Sequence, residues 1–218
     1  YTVPMTTRKL RKIEFSKNTT KHVVLHKVNT LSWRGVAVQL KDTISKASCK
    51  NAFVFVHGYN FAFKDAARRT AQIHHDLKFD GAPIFFSWPS RGEITLTSYT
   101  HDETNAKWSY SYLKKFLIQI ATDTQADNIY LVAHSMGTRV LSNAVAGVMS
   151  ERPDLKKRFK EIILAAPDID AEVFINDLAP KLVEASQNTT LYASADDRAL
   201  KTSSQVHGSS ACVGDDGE

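Results

Sequence analysis

Asn128-Ile129-Tyr130-Leu131-Val132-Ala133-His134-Ser135-Met136-Gly137 is the stretch that decides how this chain folds. It reads as an apolar strand running into a serine between small residues, with a helix starting directly behind it. A serine in that setting occupies a sharp strand-to-helix turn, and the residues two before and two after it must be small or the turn clashes. Here they are Ala133 and Gly137. Ala133 stands where the G-x-S-x-G pattern has its first glycine, a replacement the steric argument permits. The helix start leaves the Met136 backbone N–H without an intrahelical acceptor, aimed at the space before the hydroxyl. A nucleophile and an oxyanion donor would then come from adjacent residues.

Outward from this turn, apolar strands alternate with amphipathic helices. The periodicity predicts strands over 22–28, 52–56, 82–88, 128–133, 161–166 and 189–194. It predicts helices over 31–45, 63–77, 103–121, 136–150 and 171–179, with the following tail helical at most to about Val206. Continuous apolar strands between helices give an α/β fold, a mostly parallel sheet with helices on both faces. One globular domain is expected over 22–207. A basic extension, 1–21, precedes it, and a small, acidic, flexible tail, 208–218, follows it.

Composition narrows the function classes. The chain has 218 residues, 43% hydrophobic and 23% charged, as a soluble globular domain with a sizeable core does. Its net charge is +5, concentrated in the first fifty residues and in Lys156-Lys157-Arg158. Aromatic residues are not interleaved with these charges, so they read as solvated surface, and no nucleic-acid partner is expected. Cys49 and Cys212 demand no disulfide and leave the redox compartment open. No apolar run of transmembrane length occurs, and the N-terminus shows no signal peptide. Since the sequence starts at Tyr1 rather than Met, a cytoplasmic location and export after loss of an upstream segment both fit. Phosphate-loop and dinucleotide glycine motifs are absent, and His74-His75 lacks metal-ligand spacing, so no cofactor or metal is expected.

In an open parallel sheet, ligands bind beyond the carboxyl ends of the strands. The residues just past each strand here are His57-Gly58-Tyr59-Asn60, Ser87-Trp88-Pro89-Ser90-Arg91, Ser135, Pro167-Asp168-Ile169-Asp170 and Ala195-Asp196-Asp197. Polar, titratable and glycine residues therefore collect at one rim. Gly58 lets the backbone approach a substrate, and an N–H from Tyr59 or Asn60 can pair with that of Met136 as an oxyanion hole. His57, Gly58, Trp88, Arg91 and Asp168 are expected on the substrate side. A triad ordered Ser, Asp, His takes Ser135 as nucleophile and Asp197 as orienting carboxylate, with Asp196, Asp168 and Asp170 as alternatives. His207 is the one histidine after Ser135 and hence the base. His134 reads as buried support for the turn, while Trp88, Trp108, Tyr110 and Tyr112 read as core and cleft wall. Residues 89–104, with Arg91 and His101, are the candidate flap.

Five segments carry a resemblance: FVFVHGYN at 53–60, FFSWPSRG at 85–92, YLVAHSMGTRVL at 130–141, ILAAPDIDAEVF at 163–174 and LYASADDRAL at 191–200. In this order they resemble a bacterial α/β-hydrolase family, a domain of unknown function in the esterase/lipase superfamily. The likeness runs from about Val23 to Gly208. It implies an α/β-hydrolase fold and a serine-hydrolase triad with Ser135 as nucleophile, and it implies no substrate. The family pattern continues into a further strand and a glycine-histidine-serine segment that this sequence lacks. Either His207 is the base or the base is missing. The expected function is hydrolysis of a small-molecule carboxylic ester or lipid-like substrate. The alternatives are acyl transfer to an acceptor other than water, and a catalytically silent hydrolase fold that binds an acyl ligand or a partner. Oligomeric state is not legible.

Overall fold

The computed structural model describes residues 23–91 and 96–193. Five parallel strands form a single sheet: β1 (Asn51–Val56), β2 (Gly81–Phe86), β3 (Asn128–His134), β4 (Phe159–Ala165) and β5 (Ser186–Tyr192), in the spatial order β2-β1-β3-β4-β5. The register aligns Val54 with Ile84 and Leu131, Leu131 with Ile162, and Ile162 with Thr189. Because side chains alternate along a strand, Ala52, Val54, Val56, Ile84, Ile129, Leu131, Ala133, Ile162 and Leu164 share one face. That face carries the main core beneath three long elements. These are α1 (Trp33–Ser45), α3 (Leu96–Asp123) and α4 (Met136–Glu151), joined by the short helices α5 (Ala171–Val173) and α6 (Ala179–Ala185).

The opposite face takes the aromatics Phe53, Phe55 and Phe85 and the helix α2 (Phe63–Asp76). Phe63 packs on Phe85 with ring centroids 5.3 Å apart, and Phe53 meets Phe79 edge-on at 5.0 Å. Ala66, Thr70 and Ala71 turn the buried side of α2 inward. β1 is buried from Ala52 to Val56 because both faces are covered there, as its unbroken apolar run implies. The α/β fold with helices on both faces is thus the one observed.

Several boundaries differ from the sequence reading. In place of a strand over 22–28, the described residues 23–28 make a lone bridge at Val24. Val23 and Leu25 line a cavity of about 120 Å³ with Pro83 and Phe85 of β2, and a proline withholds one ladder donor at that edge. The helix expected from 103 starts at Leu96, so 96–104 of the candidate flap are helical. Asp102 on that helix holds the end of the segment after β2, accepting from Ser90 Oγ at 2.6 Å and the Arg91 N–H at 3.0 Å. β4 and β5 begin earlier than their apolar cores, because polar side chains pair along them: Lys160 Nζ donates to Gln187 and Thr190 Oγ1 to Glu161. Helix 171–179 extends to Ala185 but widens into a π turn over Phe174–Leu178. Pro180 explains the widening, since it has no N–H and its ring crowds the carbonyl four residues back.

Candidate active site

β1 and β3 are neighbours in the sheet, and Val56 pairs with Ala133. The two rim segments that follow them, 57–60 and 134–136, therefore leave the sheet side by side. Ser135 caps α4 with φ 51° and ψ −132°, a left-handed backbone that non-glycine residues adopt at a cost of about 1–3 kcal/mol. The surroundings hold it there. Its N–H donates to Ala165 O at 3.0 Å, while its own carbonyl accepts from Thr138 N at 2.8 Å and Thr138 Oγ1 at 2.7 Å. The small residue two positions on is required by packing. A Cβ on Gly137 would stand 2.7 Å from Val56 O and closer still to His57 O.

Gly58 presses on the turn from the other side. A methyl there would lie 2.8 Å from His134 O and 2.9 Å from Ser135 Cβ. The loop is thus in backbone contact with the serine, which only glycine permits. Asn60, at φ 61°, sits in the left-handed region that asparagine tolerates. Met136 is the first residue of α4, so its N–H has no acceptor within the helix.

His57 is fully buried, and Trp88 is 2% exposed. Their rings stack with centroids 5.1 Å apart, and Trp88 Nε1 donates to His57 O at 2.6 Å. His57 Nδ1 lies 2.9 Å from Gly58 O, so that nitrogen carries the proton and Nε2 accepts from Ser87 Oγ at 3.3 Å. Burial pushes the imidazole pKa below its usual 6.5, outweighing the Gly58 and Trp88 main chain, which favours the charged ring. The ring is therefore neutral. Both residues, expected on the substrate side, stand beneath the loop as its support. By pinning Gly58 O, His57 also turns the Tyr59 N–H the opposite way, since the trans peptide sets the two antiparallel.

Asp168 is likewise internal, at 3% exposure. Its carboxylate accepts from Arg139 at 2.8 Å and from Tyr99 Oη at 2.8 Å, and Arg139 Nε donates to Asp168 O. Arg139 also pairs with Glu103 at 3.0 Å. Burial opposes the guanidinium charge, but Asp168, Tyr99 and Glu103 more than offset it and raise the Arg139 pKa. Asp170 caps α5 through the Val173 N–H at 3.1 Å. Arg91 is exposed, its N–H on Asp102.

His134 is exposed, contrary to the buried support expected of it. It belongs to the sheet face that α2 covers, but α2 packs over β2, leaving the end of β3 outside that cover. Asp196, Asp197, His207 and Cys212 lie outside the described residues. Cys49 is exposed and has no disulfide partner among the described residues. Among the described residues no cluster could hold a metal ion, and no helix is long and apolar enough to cross a membrane.

Sequence reasoning gave no role to Thr138, Arg139, Tyr99 or Asp102, and it named Ser87 as a rim residue without a part to play. Only Thr138 and Arg139 carried a signal, since they lie in the first turn behind Ser135 and must face its surroundings.

A search of the curated proteins finds no match. A family model described as "Alpha/beta hydrolase of unknown function (DUF900)" matches residues 35–215. It spans the Gly58 loop, the serine turn and every described strand. The chain belongs to that alpha/beta hydrolase family.

Proposed function

We propose that the protein is a serine hydrolase of carboxylic esters, with Ser135 as nucleophile. The observation that carries this reading is the strained turn at Ser135 lying in contact with a glycine loop. A backbone at φ 51° persists only where its surroundings over-determine it, and such strain concentrates at functional sites. The helix end behind Ser135 and the Gly58 loop before it offer N–H groups from Met136 and from Tyr59 or Asn60. Aimed at a developing oxyanion, each such donor is worth about 3 kcal/mol.

In this mechanism the Ser135 hydroxyl attacks the acyl carbonyl while His207 takes its proton, oriented by Asp197. His207 returns the proton to the leaving alcohol, and water then hydrolyses the acyl-enzyme by the same steps. The stacked pair His57 and Trp88 keeps the oxyanion loop in place without exchanging protons.

The test is hydrolysis of p-nitrophenyl esters of increasing acyl length by wild type, Ser135→Ala and His207→Ala, with fluorophosphonate labelling of Ser135 alongside. Loss of turnover in both variants is expected, by about 10⁴-fold or more for Ser135→Ala. Unchanged hydrolysis in Ser135→Ala would sink the mechanism. Turnover that survives only in His207→Ala moves the base elsewhere. A wild type that is inert and unlabelled indicates a silent hydrolase fold that binds its ligand without cleaving it.

A further inference from the structure

Four hydrogen bonds lead from the nucleophile turn to a buried ion pair. Thr138 Oγ1 donates to Ser135 O at 2.7 Å and accepts from the Asp168 N–H at 3.2 Å. The Asp168 carboxylate in turn accepts from Arg139 and from Tyr99 Oη, each at 2.8 Å. Tyr99, near the start of α3, then turns its ring edge-on to Tyr59, with centroids 5.4 Å apart. Tyr59 is in the oxyanion loop. A single connected set of groups thus touches both halves of the site, one end on the Ser135 carbonyl and the other on the Tyr59 ring.

The members are suited to holding a distance. Asp168 is 3% exposed and Tyr99 7%, and the Arg139 side chain is 13% exposed, so water competes weakly for these bonds. Arg139 grips Asp168 at both its main-chain oxygen and its carboxylate, which fixes the loop after β4 as well as its side chain. Glu103 holds the far side of the guanidinium at 3.0 Å and keeps it from swinging away.

We propose that Asp168, clamped between Arg139 and Tyr99, is a positioning residue that sets the spacing between Ser135 and the oxyanion loop. The inference rests on the hydrolase reading for its kinetic consequence and on geometry alone for its structural one. Asp168 touches no reacting atom. It acts through Thr138 on the nucleophile and through Tyr99 on Tyr59. Misplacement of reacting groups by about 1 Å costs about 100-fold in rate, so loosening the clamp lowers kcat more than it disturbs binding.

The test compares wild type, Tyr99→Phe, Asp168→Asn and the double variant. The assays are p-nitrophenyl butyrate kinetics and hydrogen–deuterium exchange of peptides covering 57–60 and 135–140. The expected result is a fall in kcat of about 10- to 100-fold in each single variant, with KM within about twofold. The double variant should lose no more than the worse single one, because the groups act as a unit. Exchange at both peptides should rise while that of β4 stays unchanged. Tyr99→Phe removes one oxygen and keeps the ring, so it carries the test should Asp168→Asn fail to fold. Full kcat in folded Tyr99→Phe with exchange unchanged overturns the proposal. So does a loss confined to KM or thermal stability. If wild type neither hydrolyses the ester nor takes the fluorophosphonate, the ester reading fails separately. Exchange then decides the clamp alone, a rise at both peptides supporting it and no change refuting it.

Discussion

Replacing Gly58 by alanine probes the closest approach in the site. The added methyl would stand 2.8 Å from His134 O, 2.9 Å from Ser135 Cβ and 3.2 Å from His134 Nδ1. Carbon and oxygen atoms pack comfortably at about 3.4 Å or more, so the loop or the turn must retreat by about half an ångström. Neither can yield easily. Ser135 is tied to Ala165 and Thr138, and His57 anchors Gly58 O. Overpacking of this kind costs about 1–3 kcal/mol, or about 2–12 °C in Tm for a chain of this size. On the proposed reading the retreat also draws the loop's N–H donor, from Tyr59 or Asn60, away from Ser135; a misplacement of about 1 Å costs about 100-fold in rate, so half of that should slow labelling by about 10-fold. Thermal unfolding and the rate constant for fluorophosphonate labelling of Ser135 read the two effects separately. A Gly58→Ala protein that matches wild type in Tm and labelling rate would refute the contact and the role given to the loop.

Acidification is expected to destabilise the fold through His57. Its folded-state pKa lies below the unfolded 6.5, so the unfolded chain binds the proton more readily. This contribution to stability is intact above about pH 6.5 and is lost as pH falls toward the folded-state value; urea midpoints between pH 7.5 and 5 should therefore decline less steeply in His57→Gln. Trp88→Phe removes the 2.6 Å bond to His57 O and strands a buried carbonyl, so it should cost about 1–3 kcal/mol by chemical denaturation. A Trp88→Phe protein as stable as wild type would mean that this bond contributes nothing net.

The strand, tight turn and helix over 128–137 follow from local rules, because alternation and a sharp turn are written in neighbouring residues. Gly137 is small because a side chain there would clash, though the backbone that crowds it belongs to Val56 and His57, far upstream. Strand and helix alternation was legible for the same reason, since burial on both faces writes an apolar run into each central strand. β5 was the least legible strand because it is half exposed: Gln187, Asn188, Leu191 and Tyr192 face outward. The start of α3 escaped notice because its first turns are fixed by Asp102 reaching back to Ser90 and Arg91, a contact without periodicity. His57 and Trp88 looked like substrate contacts because polar rim residues and supporting ones share the same positions past a strand. Their stacking depends on a neighbouring strand rather than on anything in either motif. The Arg139–Asp168 pair lay beyond reach as well, since an ion pair between a helix and a later loop leaves no spacing rule to follow.

Placing Val56 beside Ala133 has a consequence for how the molecule comes into being. Those paired residues are separated in the chain by all of α2, β2 and α3. Closing so long a loop must precede any contact between Gly58 and Ser135, and non-local parallel pairing of this kind is slow. The two halves of the site therefore do not exist in any species that has formed only its neighbouring elements. If Ser135 is the nucleophile proposed above, its reactivity arrives with the joining of the central strands, and regain of fluorophosphonate labelling during refolding becomes a clock for that event.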